Sequence, residues 1–125
     1  MSKIIRHKTR VAKIPEGEHL ATIDCIELRY DVPTPFGIKD QIEVGYRIGD
    51  EVLKKTYTQS LYEKSSFSQV VLATMGTPPP VGEDFDVDSL LDLSCKVTVE
   101  HRTAETGSVW ETVVQVASAS DQGRN

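Results

Sequence analysis

The densest group of candidate metal ligands is an acidic stretch in the second half of the sequence. It contains Glu83, Asp84, Asp86, Asp88 and Asp92. A calcium loop of the EF-hand type needs a central glycine and a bidentate glutamate at fixed offsets, and neither is present here. A carboxylate at Asp86 or Asp88 instead suits the start of a short apolar turn over residues 90–93, where it stabilises exposed backbone N–H groups. The stretch predicts a helix cap and no metal site.

No pairing of a nucleophile with a base is visible in the sequence. His7, His19 and His101 are dispersed, and the motifs GxGxxG, GxxxxGK, GxSxG and HExxH are absent. Cys25 and Cys95 lie far apart and form no CxxC pair, which predicts two free core thiols in a reducing compartment. The sequence therefore predicts a protein that is not an enzyme and that uses no cofactor.

Aromatic and cationic side chains could instead bind a single-stranded nucleic acid, because bases stack on flat rings and phosphates attract cations. We select as candidates Phe36, Lys39, Arg47, Lys54, Lys55, Tyr57, Arg102 and Trp110. In so small a domain, Tyr57 and Trp110 are also candidates for the core. Lys54 and Lys55 point to opposite faces of a strand, so at most one of them serves a given groove. Tyr46 alternates in phase with Ile42 and Val44, and we assign it to the core.

Charge is distributed unevenly along the chain. The net charge is -5, yet the first thirteen residues contain five bases and no acid: Lys3, Arg6, Lys8, Arg10 and Lys13. Subtracting these five from the 14 Lys and Arg leaves nine bases against 19 acids, which is close to -10. A basic arm on an acidic body is typical of a nucleic-acid contact made by a tail, and a solubilising terminus is the alternative.

The first half of the chain predicts three strands. From His19 to Tyr30 the apolar positions change parity after Cys25, as they do when a β-bulge adds one residue to a strand. The prolines and the glycine within residues 31–37 predict a loop. Alternation over residues 42–48 predicts the second strand, and Gly49-Asp50 predicts a hairpin turn. The third strand follows from residue 52 to about residue 61.

The second half predicts one helix and two strands. Ser66 and Gln69 form a candidate capping box, and Gly76 suits the end of the helix that follows. Strands are predicted over residues 95–100 and 110–117, joined by a hairpin at residues 102–108. The order strand, strand, strand, helix, strand, strand is that of a five-stranded OB-type β-barrel, with an open sandwich covered by a helix as the alternative.

These signals divide the chain into a basic arm (residues 1–16), an OB-like barrel domain (17–117) and a polar, flexible tail (118–125). One domain suits the length of 125 residues, of which 38% are hydrophobic. The sequence shows neither a span of bilayer length nor an apolar stretch suited to a signal peptide. We therefore expect a cytoplasmic protein without a membrane partner.

Part of the chain resembles small proteins encoded by bacteriophages and prophages. The resemblance lies in Thr58-Gln59-Ser60-Leu61-Tyr62-Glu63-Lys64-Ser65-Ser66-Phe67, in Asp84-Phe85-Asp86, in Leu90-Leu91 and in Ser94-Cys95-Lys96. It extends from about Gly17 to Val116. The chain departs from the family after the helix, where Ala73-Thr74-Met75-Gly76 replaces an expected Trp-Arg-Gly, so any contact made there is weakened.

Members of that family are commonly regarded as replication or recombination accessory proteins. The resemblance implies single-stranded DNA binding in the cytoplasm of a bacterial host, beside protein partners of a replication or recombination complex. The alternative is a protein-interaction or assembly module on the same barrel, which would expose an apolar patch away from any cation. The sequence leaves the oligomeric state open.

Overall fold

A computed structural model describes residues 11–62 and 64–119. The elements are β1 (Gly17–Thr34), β2 (Gly37–Ile48), β3 (Glu51–Thr58), α1 (Ser66–Met75), a 3₁₀ turn (Val87–Leu90), β4 (Ser94–Thr103) and β5 (Val109–Ser118). The predicted order of strands and helix is confirmed. Lys3, Arg6, Lys8 and Arg10 of the predicted arm and residues 120–125 of the predicted tail lie outside the described residues.

The five strands form one antiparallel sheet in the order β3-β2-β1-β4-β5. Strands β3 and β5 are the two edges, and although they approach each other they are not hydrogen-bonded neighbours. The predicted closure into a barrel is therefore not observed. Helix α1 packs on β5 and also contacts β3 and β4.

Strand β1 is long because it belongs to both halves of the sheet. Its first part, Gly17 to Thr22, pairs with β4, and its later part pairs with β2. The ladder to β2 passes from the pair Ile23–Tyr46 to the pair Cys25–Gly45, which leaves Asp24 as the extra residue of a bulge. The bulge predicted from the change in parity is confirmed, and it turns the later side chains of β1 to the opposite face.

The β1–β2 hairpin is longer than predicted, and the expected loop over residues 31–37 is wrong in extent. Strand β1 continues through Pro33 to Thr34, and only Pro35 and Phe36 form the turn. Thr34 closes the turn because its Oγ1 donates to the Gly37 carbonyl at 2.6 Å and accepts from the Phe36 N–H at 3.2 Å. Pro33 is tolerated because this end of β1 pairs with a strand on one side only.

Helix α1 begins one residue earlier than the predicted capping box implies. The N-cap is Ser65, whose Oγ accepts a hydrogen bond from the Ser68 N–H at 3.1 Å. The predicted end is confirmed, since Gly76 has φ 79° and its N–H donates to the Leu72 carbonyl at 2.9 Å. The predicted carboxylate cap is also confirmed, because Asp86 Oδ1 accepts from the Asp88 N–H at 3.0 Å at the start of the 3₁₀ turn.

The core lies between the sheet and α1. Its largest fully buried side chains include Tyr46, Ile23, Ile42 and Leu90. The hydroxyls of Tyr46 and Tyr57 hydrogen-bond to each other at 2.7 Å, so two phenols are buried as a satisfied pair.

The folded part also includes residues that the sequence assigned to the arm. Ile14 is 4% exposed and packs in the core. The backbone N–H groups of Lys13 and Ile14 donate to Glu111 Oε2 at 2.8 and 3.1 Å, and the His101 ring nitrogen Nε2 bonds to the Ile14 carbonyl at 2.7 Å. These contacts attach the chain before Gly17 to β4 and β5.

The buried tyrosine pair makes folding stability depend on alkaline pH. Burial raises the pKa of Tyr57 to about 12 and raises the pKa of Tyr46 further. Above about pH 10 the unfolded chain loses these protons while the native protein keeps them, so the free energy of unfolding falls as pH rises. The tyrosine pair therefore contributes its full stabilisation below about pH 10. This contribution is lost as the pH rises through the pKa values that the two tyrosines have in the native protein.

We predict that Tyr57→Phe makes this fall shallower by up to about 1.4 kcal/mol per pH unit between pH 10 and 12, because one proton is removed from the linkage. Urea unfolding at several pH values measures the slope. Val44→Ala is the control, because it lowers stability at a buried position without removing an ionisable group and should leave the slope unchanged. Equal slopes in the wild type and Tyr57→Phe would contradict the prediction.

Candidate nucleic-acid interface

The structure removes Tyr57 from the predicted stacking surface. Strand β3 alternates so that Leu53, Lys55 and Tyr57 turn toward the interior, while Lys54 and Thr56 turn outward. The Tyr57 ring is 6% exposed and packs against Phe67 at a centroid distance of 6.1 Å. The expectation that Tyr57 offers a ring to a base is therefore wrong, and its alternative assignment to the core is correct.

Three of the predicted cations lie beside carboxylates. The Arg47 guanidinium on β2 hydrogen-bonds to the bulge residue Asp24, with Nε 3.0 Å from Oδ1. Arg102 contacts Glu100 at 2.7 Å. These pairs are exposed and contribute little to stability, but each places a negative charge where a phosphate would approach.

Lys54 is the third of these cations, and it shares its carboxylate partner with an arginine. Its Nζ lies 4.0 Å from Glu43 Oε1, which Arg29 also contacts at 3.2 Å. The Glu43 carboxylate would repel a phosphate, and it lies on the same outer region of β2 and β3 as the candidate lysine. This outer face is therefore close to neutral.

The two remaining aromatic candidates are accessible but separated. Phe36 is 88% exposed at the tip of the β1–β2 hairpin, and Trp110 is 44% exposed on β5, where it pairs with Arg102. The hairpin tip follows the last residue of β1, whereas the β4–β5 hairpin extends beyond the first residue of β1. Phe36 and Trp110 thus lie toward opposite ends of β1 and form no single stacking platform.

A groove with lysines and hydroxyls lies where β3 ends and α1 begins. We call it the lysine groove; its volume is about 450 Å³, and it is lined by Lys55, Thr56, Tyr57, Thr58, Lys64, Ser65 and Ser66. Among the described residues, which leave out residue 63, no acidic side chain lines it. Two cations and several hydroxyl donors around an open groove match the chemistry of a phosphate backbone.

Local structure explains why these groups converge. Thr58 ends β3, and the chain then reverses into α1 within a few residues. Ser65 stabilises that reversal because its Oγ donates to the Ser60 carbonyl at 2.8 Å while it caps α1. Lys64 and Ser66 therefore flank the cap, at the positive end of the helix dipole.

Neither lysine of this groove, Lys55 or Lys64, has an ion pair among residues 11–62 and 64–119, and the same is true of Lys39 on β2. Lys55 Nζ instead lies 5.9 Å from the centroid of the Tyr57 ring, so the lysine makes a cation–π contact with Tyr57. The sequence reasoning missed Lys64, which follows Glu63 in the sequence and directly precedes Ser65 and Ser66.

The lysine groove opens into the gap between the two sheet edges. A cavity of about 290 Å³ shares Lys55, Tyr57 and Ser66 with the groove and reaches Gln69 and residues 113–116 of β5. The unclosed sheet thus leaves space beside the lysines that a hydrogen-bonded β3–β5 pair would fill.

The described part of the chain contains neither a metal-binding cluster nor a helix of membrane-spanning length. No three His, Cys, Asp or Glu side chains come together there in a way that could hold a metal ion. No helix there is both long and apolar enough to span a bilayer.

The two free thiols differ in environment. Cys95 is buried, which raises its pKa to about 11, and Cys25 is half-buried.

No protein-family model matches the chain, and no curated protein matches it. The resemblance to phage-encoded proteins therefore stays a prediction.

The cap that shapes the lysine groove yields a stability prediction. We expect Ser65→Ala to lower the free energy of unfolding by about 1 kcal/mol, because the Ser68 N–H loses its acceptor. Ser66→Ala is the matched control, since Ser66 follows the cap and is exposed. Chemical denaturation of both variants gives the comparison, and a larger loss in Ser66→Ala would restore Ser66 as the cap.

Proposed function

We propose that this protein is a non-catalytic single-stranded nucleic-acid-binding protein, and that the lysine groove holds part of the phosphate backbone. The observation that carries the proposal is the pair Lys55 and Lys64, which share a groove with hydroxyl side chains and, among the described residues, with no carboxylate. On a chain of net charge -5, such a groove is a local exception to the overall repulsion of polyanions. A local cationic track is what single-strand binders use.

The connectivity supports an OB-type domain as the scaffold for this function. A long bulged first strand that pairs with both the second and the fourth strands is the arrangement of that fold, as is a helix between the third and fourth strands. OB domains bind single strands across their second and third strands, and the lysine groove lies along β3. The cavity between β3 and β5 lies at the place where such a barrel would close.

In this proposal, Phe36 is the side chain on which a base stacks. Its ring is almost fully exposed at the tip of a two-stranded arm, and Lys39 on the same arm has no ion pair among the described residues. An aromatic beside a free cation suits one base and its phosphate. Trp110, at the other end of β1, is a second stacking position.

The biological setting rests on the resemblance alone. The phage-like segments over residues 58–67 and 84–96 point to an accessory role in DNA replication or recombination, in the cytoplasm of a bacterial host. The residues of the lysine groove belong partly to the first of those segments, which is consistent with a shared function of this junction.

A protein-interaction module is the second candidate. It is favoured by exposed apolar side chains on the β1–β2 arm, where Tyr30 is 61% and Ile38 is 69% exposed. Surface side chains of this kind are typical of a site that another molecule covers.

We predict that the protein binds labelled oligo-dT and not duplex DNA in a fluorescence-anisotropy titration. Lys55→Gln and Lys64→Gln should each weaken binding at low salt and reduce the slope of log Kd against log salt by about 0.7, because each removes one phosphate contact. Titrations at two or more salt concentrations provide the slopes.

The matched control for these lysines is Arg102→Gln, since Arg102 is already paired with Glu100. It should change the slope less than either lysine variant. No binding to oligo-dT at low salt would exclude the proposed function, and an equal loss in Arg102→Gln would exclude the lysine groove as its site.

A separate prediction concerns Phe36. Phe36→Ala should weaken oligo-dT binding by about 1–3 kcal/mol, because a stacked base loses its platform. Phe36→Tyr keeps an aromatic ring and should retain most of the affinity. Thermal melting of both variants should match the wild type, since the ring is 88% exposed. Equal binding by Phe36→Ala and the wild type would remove the hairpin tip from the interface.

A further inference from the structure

A second surface, built from different residues, has the opposite charge. Two adjoining hollows share Leu61 and together form what we call the acidic groove. The first, of about 470 Å³, lies between β1 and the segment 85–88; buried Ile42 and Phe67 form its floor. The second, of about 600 Å³, runs past Tyr62 to residues 78–83.

The walls of the acidic groove are apolar and accessible. Leu28 and Leu61 are 39% and 36% exposed, and Tyr30, Tyr62 and Val81 are 61%, 67% and 98% exposed. Such side chains, gathered around one depression, expose apolar surface that a partner can remove from water. Scattered single apolar residues would carry no such implication.

Within the part of the chain that the structure describes, the charged side chains that line this groove are all negative. They are Asp86 and Asp88 in the first hollow and Glu83 in the second, and no described lysine or arginine lines either one. A phosphate backbone would be repelled here, so the acidic groove is unsuited to the nucleic acid proposed for the lysine groove. The complementary ligand is apolar and positively charged.

Strand β1 offers backbone hydrogen bonds along one wall. Beyond Thr22 it pairs only with β2 among the described residues, and apart from the bonds of Ile23 to Asp92 and Leu93 its other edge pairs with no strand. An unpaired edge beside apolar pockets is the arrangement that accepts an added peptide strand, whose alternate side chains enter the pockets.

We propose that the acidic groove binds an extended peptide segment of another protein, in which apolar residues alternate with lysine or arginine. The segment lies along β1, its apolar side chains contact Leu28, Tyr30 and Phe85, and its cations face Asp86, Asp88 and Glu83. This binding is independent of the lysine groove, with which the acidic groove shares no lining residue.

The test uses three labelled octapeptides and the full chain in fluorescence-anisotropy titrations. One peptide alternates valine with lysine, the second replaces each lysine by glutamate, and the third replaces each valine by serine. The first should bind, and the other two should bind about tenfold more weakly or not at all, because each lacks one half of the complementarity.

Two variants of the protein locate the site. Tyr30→Ser should weaken the valine–lysine peptide about tenfold, since it removes an aromatic contact. Asp88→Asn should weaken it about threefold at low salt and little at high salt. Val52→Ser, at a 38% exposed residue of β3 outside the acidic groove, is the control and should bind as the wild type does.

Four outcomes would overturn the proposal. The first is that no peptide binds, or that all three bind equally. The second is peptide binding that Tyr30→Ser leaves unchanged. The third is a concentration-dependent dimer in sedimentation that Tyr30→Ser dissociates and Val52→Ser does not, which would assign the groove to a second copy. The fourth is binding that arises only after Lys3, Arg6, Lys8 and Arg10 are replaced by glutamine, which would assign it to the chain's own first residues.

Discussion

The bulge at Asp24 is the constraint on which the rest of the sheet depends. It lies where one 18-residue strand passes from the ladder with β4, which ends at Thr22, to the ladder with β2, which begins at Thr22, and it reverses which side chains face the core. The opposing strand is adapted to it. Cys25 is paired with Gly45, and a Cβ at Gly45 would collide with the Cys25 sulfur. The extra residue is itself held, because the Asp24 carboxylate contacts Arg47 on β2. A glycine and an ion pair thus fix the register that brings Ile23 opposite the buried Tyr46.

The same register determines the chemistry at the open edge of the sheet. With Tyr46 in the interior, the Tyr57 hydroxyl on β3 becomes its partner, and Lys55, two residues earlier on the same face, is brought beside the start of α1. Lys55 cannot be buried with its charge, so it lies at the rim over the Tyr57 ring. The lysine groove is therefore a consequence of core packing on β3 together with the Ser65 cap on α1.

Features that depend on local periodicity could be predicted from the sequence. The parity change in β1, the Gly49-Asp50 turn, the Gly76 end of α1 and the Asp86 cap are each determined by a few neighbouring residues. The prolines misled the prediction of the β1–β2 loop, because a strand paired on one side only tolerates a residue without an N–H. The helix start was predicted one residue late, because Ser66 is as good a cap by residue type as Ser65 and only the geometry distinguishes them.

Functional residues were harder to predict because their environment comes from distant parts of the chain. Arg47 is neutralised by a residue 23 positions away, which requires knowledge of the β1–β2 register. Tyr57 was ambiguous because Val52 and Leu53 are both apolar, so the alternation of β3 does not reveal which parity is internal. The acidic groove combines β1 with residues 59–62 and 78–88, which no short pattern connects.

The segment between β3 and α1 separates two surfaces of opposite charge. Ser60, Leu61 and Tyr62 line the acidic groove, whereas Lys64, Ser65 and Ser66 line the lysine groove. A polyanion is attracted to the second and repelled by the first, so the field around this short segment orients any bound strand away from the peptide side. Two ligands of opposite charge could then occupy the protein together, each excluded from the other's groove by electrostatics. The Ser60–Ser65 hydrogen bond and the β3–α1 junction that it holds join the two grooves, so they are one route by which binding at one groove would alter the affinity of the other.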